Sequence, residues 1–98
     1  MDMATCTQTL REKVGDASGL NATLKFDCGA DGVFFIDGKS VPNSVSNEDK
    51  EADCTVAITL ENLGSMLRGE LEPATGFMTG KLKVSGDMSV AMKLQRLV

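Results

Sequence analysis

The side chains that most often do chemistry at neutral pH are few in this sequence of 98 residues. It contains no histidine, which removes imidazole bases, imidazole metal ligands and any pairing of histidine with a serine or cysteine nucleophile. Its three cysteines, Cys6, Cys28 and Cys54, are widely spaced, and their number and spacing argue against a disulfide framework and a Cys-x-x-Cys site. Cys28 and Cys54 fall in phase with the apolar positions of strands. Buried apolar cysteines are therefore predicted, with a reactive thiol as the alternative.

Two loops resemble ligand-binding motifs, but their spacing does not fit. The stretch GFMTGK at 76–81 has three residues between its glycines where a phosphate loop has four, and Leu82 stands where a magnesium-binding hydroxyl belongs. The stretch DCGADG at 27–32 begins like a calcium loop, but Gly29 supplies no ligand, so a hairpin turn is predicted. The acidic run at 48–53 is interpreted as a solvated loop, with a cation site as the alternative. No carboxyl group lies on apolar ground that would suit it to acid-base chemistry, so no catalytic site, metal or cofactor is predicted.

A group of large apolar side chains late in the chain is the remaining candidate. They come from four neighbouring segments and are rich in methionine, which adapts to irregular or changing shapes. The members are Leu63, Met66, Leu67, Phe77, Met78, Met88, Ala91 and Met92. The pattern alone is compatible with two interpretations, a plain core and a cavity that accepts a ligand.

The elements that must position this group follow from hydrophobic periodicity. Helices are predicted at 5–14, 60–68 and from Met88 onward, with Thr59 and Asp87 as the N-caps of the last two. Strands are predicted at 20–28, 33–37, 40–45, 54–60 and 81–85. The third strand contains Pro42, which cannot donate to a ladder, so it belongs at a sheet edge. The order α-β-β-β-β-α-β-α predicts an α+β domain whose helices cover a largely antiparallel sheet.

Composition predicts one globular domain spanning residues 1–98. No apolar run is long enough to cross a bilayer, and the first residues lack a secretion signal, so a cytoplasmic location is expected. The net charge is −4 and there is no tryptophan or tyrosine, which disfavours nucleic acid as a partner. Residues 81–98 carry four basic side chains and one acidic one. The basic four, Lys81, Lys83, Lys93 and Arg96, are predicted either to touch an anionic membrane surface or to form a solvated face.

Residues 49–95 resemble the sterol carrier protein 2 family, also called nonspecific lipid-transfer proteins. The first shared motif is the strand entry Ala-Asp-Cys-Thr at 52–55. The second is the ending Gly-Lys-Leu-Lys-Val-x-Gly-Asp-Met at 80–88, followed by Ala-Met-Lys-Leu at 91–94. The chain differs from animal members in lacking a C-terminal peroxisomal tripeptide, and in having Thr79 where they often have glutamine.

The resemblance implies a five-stranded mixed sheet in the order 3-2-1-4-5, covered by helices that enclose an apolar tunnel. It also implies a monomeric carrier of fatty acids, fatty acyl-CoA or sterols that does no catalysis, with enzymes of fatty-acid or sterol metabolism as candidate partners. The tunnel is then expected to be bordered by Leu63, Met66, Leu67, Phe77, Met78, Val84, Met88, Ala91 and Met92, with Phe34 and Ile36 as weaker candidates. Gln95 matches a family glutamine that would offer a lipid head group a polar handle, the alternative being a solvent-facing side chain.

Two other functions compete with the carrier hypothesis. One is a partner-docking module that keeps the fold but has a filled tunnel. The other is an enzyme, such as a thioester hydrolase that uses Cys54 or Cys28 as its nucleophile. Substitution of the cysteine by serine distinguishes the enzyme from the lipid carrier, because it would abolish hydrolysis and spare lipid binding.

Overall fold

One mixed sheet with helices packed on one of its faces makes up residues 2–16 and 18–97, the part of the chain that the computed structural model describes. The elements in chain order are α1 (Met3–Val14), β1 (Thr23–Asp27), a 3₁₀ turn (Gly29–Asp31), β2 (Val33–Asp37), β3 (Ser44–Ser46), β4 (Cys54–Ile58), α2 (Leu60–Leu67), α3 (Pro73–Met78), β5 (Leu82–Gly86) and α4 (Met88–Leu97). The strand order is β3-β2-β1-β4-β5, in which β1 and β4 are parallel and the other neighbours antiparallel. The α+β class and the order 3-2-1-4-5 are thus confirmed. Among these residues no helix is both long and apolar enough to cross a membrane.

Two elements differ from their predicted form. The third strand begins at Ser44, so Pro42 precedes it, although β3 does lie at a sheet edge. The compact segment after residue 72, for which no helix was predicted, forms the short helix α3. Pro73 occupies its first turn, where a missing N–H removes no helical hydrogen bond.

The core lies between the sheet and the helices. Alternate residues of β1 and β4 point to this side, and Leu24, Phe26 and Val56 are fully buried there. Helix α1 adds Cys6, Leu10 and Val14, the four-residue spacing that predicted it. Helix α2 is capped by Thr59, whose hydroxyl accepts the Asn62 N–H at 3.1 Å.

The opposite face of the sheet is partly covered by the connection from β3 to β4, residues 47–53. Its Asp49 carboxylate pairs with the Lys25 ammonium at 2.9 Å, and the Lys50 ammonium lies 5.6 Å from the centre of the Phe35 ring. Phe35 is therefore buried although it points away from the helices. This packing explains why β2 is apolar on both sides.

The two sequence motifs meet at the start of β4 and the end of β5. The Asp53 carboxylate accepts the Thr23 N–H at 3.0 Å, and the Asp53 carbonyl accepts the Asp87 N–H at 2.8 Å. Gly86 has a φ of 93°, and a Cβ built on it would lie 2.5 Å from the Asp53 carbonyl oxygen. This junction fixes where α4 leaves the sheet.

Candidate functional site

An apolar hollow of about 240 Å³ lies between α3, β5 and α4. It is open to solvent on one side. Its walls are formed by Pro73, Ala74, Phe77, Leu82, Val84, Met88, Ala91, Met92, Leu94 and Gln95. The exposure of the late methionines bears on the two interpretations, core or cavity.

Helix α4 has two apolar stripes, and only one of them packs on the core. Val90, Leu94 and Leu97 are buried against the sheet side. The other stripe carries Met88 and Met92, whose exposed fractions are 50% and 78%. A methionine stripe left this exposed adds little to the protein's own core and lines the hollow instead.

The start of α4 is fixed by a side-chain cap. The Asp87 carboxylate accepts both the N–H and the hydroxyl of Ser89, at 2.9 and 2.6 Å. These bonds, led by the hydroxyl, lower the pKa of the Asp87 carboxyl group. The group is therefore an ionised cap at neutral pH and unsuited to act as a base.

Helix α3 supplies the facing wall. Gly76 is buried there, and a Cβ built on it would lie 3.1 Å from the Leu82 side chain, so α3 sits close to β5. This close packing leaves Phe77 on the rim of the hollow, half exposed. The Thr79 hydroxyl donates to the Thr75 carbonyl at 2.8 Å and closes the end of the helix.

The chemistry of the walls is almost entirely apolar. None of the lining side chains carries a charge, and Gln95 is the one polar side chain among them. Such a surface can hold a hydrocarbon by burying it, and offers a single neutral hydrogen-bonding group at its rim.

The structure brings half of the predicted site residues together. Phe77, Val84, Met88, Ala91, Met92 and Gln95 all line the hollow. Gln95 is solvent-exposed as well, so both roles predicted for it fit its position.

The other predicted residues lie elsewhere. Leu63 and Leu67 are buried in the core from α2, as are Phe34 and Ile36 from β2. Met78 ends α3 with 85% of its surface exposed and outside the hollow's walls. Met66 is buried, but it borders a neighbouring recess of about 350 Å³ that shares Pro73 and Gln95 with the hollow.

Sequence reasoning missed four lining residues: Pro73, Ala74, Leu82 and Leu94. Leu82 is in the same alternating phase of β5 as Val84, so its periodicity could have identified it. Pro73 and Ala74 required recognition of α3 as a helix. Leu94 both packs on the core and touches the hollow, which a periodic pattern does not reveal.

The four late cations do not share one surface. The Lys93 ammonium donates to the Leu20 carbonyl at 3.1 Å and is held there. Lys81 and Lys83 border a shallow recess on the sheet's other face, together with Asp27. Arg96 is exposed on α4.

All three cysteines are buried. Burial raises the pKa of each thiol, and that of Cys28 to about 11. A thiol of this kind is protonated at neutral pH and is a poor nucleophile. No group of residues able to hold a metal ion occurs in 2–16 and 18–97.

The comparison with known proteins extends over nearly the whole chain. The sequence profile of the SCP-2 sterol transfer family matches residues 5–98. Sterol carrier protein 2 of Gallus gallus is 43% identical over 70 residues, which are 70% of this chain and 13% of that protein. The chain thus spans only a small fraction of this relative's length.

Two solved structures share the fold. Sterol carrier protein 2 from Yarrowia lipolytica in its apo form has a TM-score of 0.71 and 21% identity, and the match covers 97% of this chain and 77% of that chain. Palmitated SCP2L2 from Aedes aegypti has a TM-score of 0.69 and 23% identity, with 97% and 92% covered. At these identities the likeness concerns the fold alone.

Proposed function

Because the chain belongs to the SCP-2 sterol transfer family, we propose that it binds and transfers apolar lipids in the hollow between α3, β5 and α4, with no catalysis of its own. The observation that carries the proposal is the exposed methionine stripe of α4. Met88 and Met92 face an open apolar hollow and leave it unfilled. Exposed apolar side chains that line a concave surface support a ligand-binding site there.

The energetics suit a carrier. Each buried methylene contributes about 0.8 kcal/mol, so eight to ten carbons would contribute roughly 6 to 8 kcal/mol before the costs of ordering the ligand. Before those costs, this free energy corresponds to a dissociation constant of roughly 1 to 40 μM, which sets the upper limit of the affinity for a ligand of that length. Methionine walls can refit to different tails, which supports broad specificity.

Fatty acids, fatty acyl-CoA and sterols are the proposed ligands. Palmitate is the first fatty acid to test, since the SCP2L2 structure from Aedes aegypti is palmitated. We place the polar end of the ligand near Gln95, at the rim of the hollow, where an amide can bond to a carboxyl, thioester or hydroxyl oxygen. Leu63, Leu67, Phe34 and Ile36 were predicted to border the tunnel. In this proposal they instead form the packed core that supports the site.

The absence of catalysis is supported by the state of the thiols. A thioester hydrolase would need a thiolate, and burial disfavours that form at Cys54 and Cys28. Cys54→Ser and Cys28→Ser are expected to retain lipid binding and to leave any background thioester hydrolysis unchanged.

Partners and location follow as further proposals. The match covers 13% of the Gallus gallus relative, which leaves room for further domains beside it there, and we propose action beside an enzyme of fatty-acid or sterol metabolism for this chain. A cytoplasmic location is proposed as well, and transient contact with an anionic membrane is proposed from the exposed basic side chains. Of the four predicted cations, Lys81 and Lys83 are exposed on one surface and could make that contact together, Arg96 is exposed on α4 away from them, and Lys93 is half-buried and bonded within the fold.

The proposal is tested by titrating delipidated protein with a fluorescent fatty acid and displacing it with palmitate, palmitoyl-CoA or cholesterol. Met92→Gln makes the wall polar at nearly constant size and is expected to weaken binding severalfold. Met78→Gln is the matched control, because Met78 is equally exposed but outside the hollow. Wild-type protein that takes up none of these lipids would instead support the docking module.

A further inference from the structure

The two edges of the sheet differ in whether their outward backbone groups are hydrogen-bonded. At the β3 edge, the Arg11 guanidinium donates to the Val45 carbonyl through Nε at 3.2 Å and Nη2 at 3.1 Å. The side chain of Asn47, just beyond β3, donates to the Val33 carbonyl at 3.0 Å. This edge is therefore covered by the protein's own side chains, as edges must be to prevent unwanted pairing.

The β5 edge has no such cover. The Asp87 N–H bonds to the Asp53 carbonyl, which places this pair in a hydrogen-bonded position of the β4–β5 ladder. Bonded and non-bonded pairs alternate in an antiparallel ladder, so Ser85 and Lys83 bond to β4 while the residues between them do not. The N–H and C=O groups of Leu82, Val84 and Gly86 consequently point outward. Within the described residues, none of these outward groups has a hydrogen-bond partner.

The side chains at this edge differ between the two faces of the sheet. On the open face, Lys83 is exposed and Lys81 flanks it, and neither forms a salt bridge with a described residue. On the helix side, Leu82 and Val84 form the floor of the hollow. A strand laid along β5 would thus meet positive charge on one face and apolar surface on the other.

We propose that the β5 edge binds an extended peptide segment of a partner protein in which apolar and acidic residues alternate. Its backbone would extend the sheet, its acidic side chains would lie beside Lys83 and Lys81, and its apolar side chains would lie at the rim of the hollow. A second copy of this chain fits poorly, because pairing β5 with itself brings lysines of the two copies together. The proposal goes beyond lipid carriage and does not depend on it.

The test uses full-length, delipidated, ¹⁵N-labelled protein and a short synthetic peptide of alternating valine and glutamate. Amide shifts are expected at Leu82, Val84 and Gly86. A peptide of alternating valine and lysine should bind about fivefold more weakly or worse at low salt, since it places like charges beside Lys83. Lys83→Glu should reverse this preference, whereas Lys13→Glu, an exposed change on α1, should leave it unaltered.

Two N-methylated forms of the glutamate peptide test the backbone pairing itself. One is methylated on every valine nitrogen and the other on every glutamate nitrogen, so that only one of them loses the N–H groups that face β5. Loss of binding for one form and retention for the other supports the ladder.

Three results would overturn the proposal. Equal binding of the two methylated forms, with shifts confined to Met88 and Met92, would mean that valine side chains merely enter the hollow. Concentration-dependent shifts of the β5 amides without peptide would assign the edge to a second copy. An absence of shifts at millimolar peptide would mean that the edge takes no such strand. Each is read without added lipid, so none bears on the fatty-acid titration.

Discussion

At the scale of single residues, the two sequence motifs shared with the family are explained by one contact. Asp53 belongs to the first motif, Gly86 and Asp87 to the second, and the three meet where β4 begins and β5 ends. The close approach of the Asp53 carbonyl leaves no room for a side chain at residue 86. These residues hold α4, and with it the methionine wall, in place.

Gly86→Ala is expected to destabilise the protein by at least about 2 kcal/mol, because it combines an unfavourable φ of 93° with a clash against backbone. Gly80→Ala is the matched control. Its φ is 75°, but nothing lies within 4 Å of the added Cβ, so a loss of about 1 kcal/mol is expected from the backbone alone. Urea unfolding midpoints measure both, and equal losses would refute the steric role of Gly86.

The Asp53 carboxyl group predicts how stability depends on pH. The Thr23 N–H and then the Lys39 ammonium lower the pKa of Asp53 below its ordinary value of 3.8. A carboxyl whose pKa is lower in the folded state stabilises the fold above its unfolded pKa and loses that effect as the pH falls through the folded one. The free energy of unfolding should therefore decrease below about pH 4.

Asp53→Asn should make this decrease shallower, because the amide does not titrate. Glu51→Gln is the control, since Glu51 is exposed and makes no hydrogen bond or ion pair with a described residue. Urea unfolding from pH 7 to pH 2 provides the measurement. An unchanged slope in Asp53→Asn would show that the acid sensitivity arises from other carboxyl groups, of which Asp37 is one with a lowered pKa.

At the scale of elements, helix α4 shows how far the sequence leads. Its start at Met88, its cap at Asp87 and its amphipathic period were all predictable from residue types. The pattern contains two apolar stripes, one through Met88 and Met92 and one through Val90 and Leu94. Which stripe the core takes is decided by the angle at which α4 leaves β5, and the sequence pattern does not encode that angle in a readable way.

The difference between the two stripes can be measured. Leu94→Ala removes a side chain that is 2% exposed and should cost about 2 to 4 kcal/mol of stability. Met92→Ala removes one that is 78% exposed and should change stability by less than about 0.5 kcal/mol, while weakening fatty-acid binding. Unfolding of ligand-free protein and a fatty-acid titration give the two numbers. If Met92→Ala were as destabilising as Leu94→Ala, the methionine stripe would be core.

Elements that depend on contacts distant in sequence were predicted least well. In β1 apolar and polar residues alternate, and β2 is an almost continuous apolar run. Both strands were located correctly within a few residues. β3 is short, and its place depends on Arg11 and Asn47 bonding across to the edge, contacts that no local pattern announces. Helix α3 was hidden because six residues with two small side chains carry almost no periodic signal.

At the scale of the whole molecule, the hollow at the edge of the core links ligand binding to stability. A ligand that binds only the folded state stabilises it by about 2.7 kcal/mol at a hundredfold excess over its dissociation constant. For a domain of this size that corresponds to a rise in Tm of roughly 10 to 20 °C.

Palmitate should produce such a rise in wild-type protein. Met88→Trp should reduce it by filling the hollow with indole, while leaving the ligand-free Tm nearly unchanged, because Met88 is half exposed. A full palmitate shift in Met88→Trp would place the lipid elsewhere in the fold, and the neighbouring recess beside Met66 would then be the next site to test.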